Sequence, residues 1–104
     1  MHEWRKILPN VVEYMGSRVG FFSIEQEDEK HFFRRFFVSS EYRNLGIGSA
    51  VICKLIKGYQ SVNKQLWLSV FIGNPAKNLY LRHGFEVMRT TEQYEYMRWS
   101  PEHM

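Results

Sequence analysis

Two glycines, Gly46 and Gly48, follow an arginine, Arg43, inside the stretch YRNLGIGSA at positions 42–50. Glycine costs roughly 1 kcal/mol against alanine in a helix interior, so its placement where a helical pattern begins asks for a reason. At a helix N-terminus the first amide N–H groups lack partners and the macrodipole is positive. A loop feeding such an end can turn its amides onto an anion, phosphate above all. Glycines let that anion come close, and the Arg43 guanidinium can add charge and hydrogen bonds. The stretch fails as a Walker A loop, because Gly48 is followed by Ser49-Ala50, and as a dinucleotide fingerprint, because Val51 stands where a third glycine belongs. A tight turn alone is the simpler alternative.

Other chemistry-bearing residues point to less. Cys53 falls on the polar edge of a helical pattern with no base paired to it, so no nucleophilic role is expected. His2, His31, His83 and His103 show no metal spacing, and no metal is expected.

These residues need elements to hold them. VVEYM (11–15), VGFFSIEQ (19–26) and HFFRRFFV (31–38) read as three strands joined by turns at Gly16-Ser17-Arg18 and Glu27–Lys30, an antiparallel meander. The period then changes. Ile47, Val51, Ile52, Leu55, Ile56 and Tyr59 share one face of a helix that ends near Gly58, with Ser49, Lys54, Lys57 and Gln60 on the other. QLWLSVFI (65–72) is nearly all apolar, as for a central strand covered on both faces. Asn74 caps a second helix with Pro75 at its first position, and Gly84 closes it. FEVMRT (85–90) and YEYMRW (94–99) form a final hairpin. The order β-β-β-α-β-α-β-β predicts one α/β domain over residues 1–104, with a mixed, mostly antiparallel sheet and helices on both faces.

Arg43-Asn44-Leu45-Gly46-Ile47-Gly48 matches the Arg/Gln-x-x-Gly-x-Gly/Ala signature of the GCN5-related N-acetyltransferases, the GNAT family. Downstream, NPAKNLYLRHGF (74–85) resembles that family's second motif, an Asn-led helix with a Leu-Tyr pair ending in Gly-Phe. Two motifs in the right order, one helix and one strand apart, make the resemblance specific over roughly residues 11–99. It implies the acyl-CoA N-acyltransferase fold and acetyl-coenzyme A as acyl donor. The cofactor would be held by Phe37, Val38, Arg43, Asn44, Leu45, Gly46, Ile47, Gly48, Ser49, Asn74 and Lys77. Its pyrophosphate would lie on the signature loop. Its pantetheine arm would pair with Phe37-Val38 in a split between that strand and strand 65–72. Tyr80 would protonate the departing thiolate; a phenol's pKa of ~10 lies close to that of a thiol. Helical spacing with Ala76, Leu79 and His83 equally fits Tyr80 as core. A backbone N–H near Val38 would stabilise the oxyanion.

The sequence departs from that family in two places. Where many relatives carry an acid in the signature strand, this chain has Arg34 and Arg35, leaving Glu25, Glu27, Glu41, His31 or water as the base. Only ~10 residues precede Val11, too few for the family's usual first strand and two helices. An N-terminally reduced member is expected, with homodimerisation favoured by an uncovered edge and face.

Composition agrees with a globular chain. Hydrophobic residues make up 44% of 104 residues and mean hydropathy is −0.41, which argues against a membrane span. A single cysteine cannot close an internal disulfide and fits a reducing, cytoplasmic setting. A net charge of +3 suits a nucleotide-like ligand and is small for a nucleic-acid protein, although the strand HFFRRFF mixes basic and aromatic residues. Trp67 and Trp99 are expected in or beside the core, Trp4 not. The expected partner is an amine-bearing acceptor, a small molecule or a peptide. The alternative is a non-catalytic acetyl-coenzyme A-binding module.

Overall fold

The computed structural model describes residues 10–101. The expectations on His2, Trp4 and His103 therefore lie outside the described residues. Six strands and two helices follow in order: β1 (Asn10–Tyr14), β2 (Ser17–Glu27), β3 (Lys30–Val38), α1 (Ile47–Ser61), β4 (Leu66–Phe71), α2 (Ala76–Arg82), β5 (Glu86–Thr90) and β6 (Tyr94–Trp99), with a short 3-10 turn at Ser40–Tyr42. The sheet order is β1-β2-β3-β4-β6-β5. Among the described strands only β3 and β4 run parallel, so the mixed, mostly antiparallel sheet is present as expected.

Local chemistry explains the boundaries. Met15-Gly16 and Asp28-Glu29 form two-residue hairpin turns in the left-handed region, whose twist matches that of the strands they join. The first turn thus sits before Ser17 and Arg18, which belong to β2. Helix α1 runs through Gly58 rather than ending there. Its stop is Asn63, at φ 57, where the Lys64 N–H donates to the Tyr59 carbonyl (3.0 Å) and the Asn63 N–H to that of Gln60 (3.1 Å). Helix α2 ends in the same motif. Gly84 takes φ 94, and the Phe85 and Gly84 N–H groups donate to the carbonyls of Tyr80 and Leu81, each at 3.1 Å.

The main core joins Phe33, Leu66, Leu68, Val70, Phe85, Met97 and Trp99 to Ile52 of α1 and Tyr80 of α2. A smaller cluster joins Val12 and Val19 to Ile47. Both described helices share this one core and so lie on the same face of the sheet, where helices on both faces had been expected. For the same reason the described helices cover β4 on one face only. Leu66, Leu68 and Val70 point to the helices and are buried, while Trp67 and Ser69 are half-buried and Phe71 is exposed. An apolar run cannot reveal this, because large aromatic side chains occupy the open face. Trp99 belongs to the core and Trp67 to the open face.

Candidate functional site

β3 and β4 begin side by side and part at once. Their ladder holds a single registered pair, Phe32 with Trp67. Beyond it β3 continues to Val38 and β4 to Phe71, and their facing edges have no registered partner. A segment carrying amides can pair with such edges as an added strand.

The head of α1 stands just past the open end of β3. Gly46 precedes the helix at φ 79, a conformation that costs other L-residues roughly 1–2 kcal/mol. The first intrahelical bond runs from the Ala50 N–H to the Gly46 carbonyl (3.0 Å), so the amides of Ile47, Gly48 and Ser49 have no acceptor in the helix. Nothing lies within 4 Å of where a Gly46 Cβ would project. Gly48 differs: its Cβ would meet Leu79 at 3.4 Å and Phe36 at 3.6 Å. The amide of Gly48 belongs to the cradle, but its missing side chain makes room between α1, α2 and β3 rather than for an anion. Ile47 is buried and anchors this end, while Asn44 and Leu45 are exposed, Asn44 at φ 65.

Arg43 ties the loop to the strand. Its Nε donates to the Val38 carbonyl (2.9 Å), and its guanidinium lies 5.8 Å from the centre of the Phe37 ring. Asn74 acts as the expected cap, accepting the Ala76 N–H on its side-chain oxygen (2.9 Å). The helix proper begins at Ala76 rather than Pro75, a one-residue difference usual at helix ends. Lys77 is engaged: its Nζ lies 3.0 Å from a carboxylate oxygen of Glu95.

Tyr80 is 7% exposed in the core, edge-on to Phe33 and Phe85. Burial pushes its pKa up to about 12, so the phenol is a weaker acid than an ordinary tyrosine near ~10. Among the described residues its hydroxyl has no hydrogen-bond partner. The base candidates are dispersed. His31 stands at the start of β3, away from the cradle, and shares a 2.9 Å hydrogen bond with the Tyr59 hydroxyl. Buried Glu25 pairs with Arg34 (2.9 Å) and with Arg35, and Glu27 pairs with Arg34 (2.8 Å). Glu41 is exposed in the 3-10 turn.

Some contacts had no sequence signal beyond helical spacing. His83 lies one turn after Tyr80, with Nε2 2.7 Å from the Ser49 hydroxyl and Nδ1 3.9 Å from the Cys53 sulfur. Cys53, read as having no base beside it, therefore has one. Gly20, opposite Val38, was not singled out; a Cβ there would overlap the Phe37 carbonyl oxygen. Among the described residues, no group of three or more His, Cys, Asp or Glu could hold a metal ion, and no helix is long and apolar enough to cross a membrane.

The acetyltransferase (GNAT) domain profile matches residues 7–87. No curated protein matches the chain in sequence. The fold is similar to that of the ribosomal-protein-S18-alanine N-acetyltransferase from Escherichia coli, with a TM-score of 0.79 and 20% identity over 98% of this chain and 74% of that one. It is similar to the PaiA N-acetyltransferase from Thermoplasma acidophilum in complex with coenzyme A, with a TM-score of 0.71 and 20% identity over 85% of this chain. The chain spans 57% of that enzyme's length. A GNAT family acetyltransferase from Elizabethkingia anophelis with acetyl-CoA bound superposes with a TM-score of 0.74 and 13% identity, over 86% of this chain and 73% of that one.

Proposed function

Because this chain belongs to the GNAT acetyltransferase family, we propose that it is an acetyl-coenzyme A-dependent N-acetyltransferase that acts on a primary amine by direct attack, as a single domain in a cytoplasmic setting. One observation carries this: three unbonded amides at the head of α1 stand beside two parallel strands that pair once and then part. That donor set fits a pyrophosphate joined to an amide-bearing arm.

When bound, acetyl-coenzyme A supplies an acetyl group activated as a thioester. The amides of Ile47, Gly48 and Ser49 hold the phosphates, with Asn44, Leu45 and Gly46 shaping the loop. Arg43 adds charge through the guanidinium nitrogens it does not use on Val38. The edge of β3 at Phe37 and Val38 pairs with the arm. Asn74 positions the start of α2, and Lys77 lends a charge shared with Glu95. β3 carries a bulge in which Arg35 and Phe36 face Phe22 alone, with Arg35 at φ 56. A bulge releases backbone groups from the ladder. A backbone N–H between this bulge and Val38 stabilises the negative charge that develops on the acyl oxygen.

Tyr80 gives its proton to the leaving sulfur. With a pKa of about 12 it is fully protonated at neutral pH. The amine's proton goes to solvent, since Glu25 and Glu27 are held by arginines, His31 is at the wrong end of β3 and Glu41 is exposed in the 3-10 turn beyond β3.

Calorimetric titration of acetyl-coenzyme A into the protein tests the cradle, with Gly46→Trp as control. Micromolar binding that the control abolishes supports the proposal, and acetylation of an amine completes it. Binding without transfer to any amine would favour the non-catalytic module, which the occupied Glu25 and Glu27 also fit. No binding at millimolar ligand would overturn both.

A further inference from the structure

Two stacked ring pairs stand on the open face, one on each lip of the split. On the β3 side, Phe21 and Phe37 stack with centroids 5.5 Å apart and planes at 30°. On the β4 side, Phe71 and Tyr94 stack at 4.8 Å and 25°. Both pairs lie on the same face. Phe21 is registered with Phe37 and shares its side of β2 with Glu25, the partner of Phe32; Phe32 faces Trp67, which lies two alternations from Phe71 on β4. The pairs are also level. Both sit near the carboxyl ends of strands that part at Phe32 and Trp67.

Three of these four rings are exposed, where the sheet's other aromatics are not; Tyr94 is half-buried. Phe71 is 60% exposed, Phe37 44% and Phe21 41%, against 8% for Phe32 at the base of the split. Exposed apolar patches on a soluble protein mark contact sites. One guanidinium touches these rings and a second lies one ring away. The Arg43 guanidinium lies over Phe37, and Tyr96, beside Tyr94, carries the Arg89 guanidinium 5.2 Å from its ring centre.

Resting on the acetyltransferase function proposed above, we infer that these two pairs form the acceptor slot. The slot takes a primary amine next to an aromatic or branched apolar side chain, with no second cation. The rings grip the apolar body on both lips, which places the amine over the split. The arginines disfavour a polyamine, whose further ammonium groups they repel, and favour a carboxylate or peptide carbonyl beyond the amine. A free apolar amino acid and an apolar peptide N-terminus present the same chemistry.

The test measures acetyl transfer, by mass and by thiol release, to four acceptors: phenylalanine, a tetrapeptide beginning with Phe, a tetrapeptide beginning with Gly, and spermidine. A coenzyme A titration is run in parallel. At least one Phe acceptor should show a kcat/KM about tenfold or more above those of the Gly peptide and spermidine, as expected for burying one ring between two others. Which Phe acceptor leads tells amino acid from peptide. Phe71→Ala and Phe21→Ala should each raise KM for the Phe acceptors several-fold and leave kcat and the coenzyme A affinity unchanged. Both rings are exposed, so melting curves should stay close to those of the parent, and Phe71→Leu should retain part of the effect. Equal or better use of spermidine or the Gly peptide overturns the inference and leaves the acetyltransferase standing. So does a KM indifferent to both substitutions. Coenzyme A binding with no transfer to any of the four overturns the inference, whereas failure to bind coenzyme A removes the function on which it rests.

Discussion

The hydroxyl of Ser49 lies 2.7 Å from Nε2 of His83, so the first turn of α1 is bonded to the last residue before the Gly84 cap of α2. The two motifs that resemble the acetyltransferase signatures are thereby one structural unit. His83→Ala removes that bond at a cost of about 1 kcal/mol in stability. It should also weaken acetyl-coenzyme A binding about fivefold, measured by calorimetry. An unchanged Kd would mean that the cradle holds its shape without α2.

Gly46→Ala tests the backbone of the cradle. Alanine meets no neighbour there but must adopt φ 79. The variant should lose about 1–2 kcal/mol in urea unfolding. Acetyl-coenzyme A affinity should fall with it as the loop relaxes. Full stability in the variant would show that the left-handed conformation is not required.

Tyr80→Phe separates packing from chemistry. The hydroxyl has no hydrogen-bond partner among the described residues, so the variant should be as stable as the parent below pH 10. The sign of the pH effect follows from the raised pKa. In the folded chain the phenol ionises near about 12 and in the unfolded chain near ~10. Its contribution is complete below pH ~10 and is lost as pH rises toward 12, a decline of about 2–3 kcal/mol. The parent should show this alkaline loss and Tyr80→Phe should not. The kcat for acetyl transfer should fall about 100-fold in the variant. An undiminished kcat would assign the thiolate's proton to water.

Glu25 is buried and held by two arginines of β3. Replacing Arg34 and Arg35 together by Met leaves a carboxylate without compensation, at a cost of about 3 kcal/mol or more. Adding Glu25→Gln to that double variant should recover most of the loss. A triple variant no more stable than the double would dismiss the ion-pair account. Glu25→Gln alone should keep kcat/KM within about threefold, since the catalytic range for a general base is far larger. A loss of two orders of magnitude would make Glu25 the base.

Much of the fold was legible because it follows short-range rules. The alternation of β1 to β3, the helical period from Ile47 to Tyr59 and the Asn74 and Gly84 caps all depend on neighbours within a few residues. Gly58 misled because glycine lowers helix propensity without forbidding it, while Asn63 supplies the left-handed stop. The side on which α2 lies is a long-range matter, since Tyr80 could bury itself only where Phe33 and Phe85 meet it. The same divide runs through the site. The cradle is backbone, and its glycine spacing shows in one line of sequence. The engagements of Lys77 with Glu95, Ser49 with His83, and Arg34 with Glu25 join residues far apart in the chain. No local pattern announces them, and the raised pKa of Tyr80 is likewise a property of its surroundings.

The single pair between Phe32 and Trp67 makes the sheet two ribbons sewn by one stitch. One ribbon is β1–β3 and the other is β4, β6 and β5; they share side chains in the core but little backbone. Amides along the parted edges should therefore be among the sheet's quickest to exchange with solvent. A guest that pairs with those edges supplies the stitches the chain omits. Binding and completion of the sheet become one event, and the folded state gains about 2.7 kcal/mol when the guest stands at a hundred times its Kd. The protein's resistance to unfolding would then track the supply of its acyl donor.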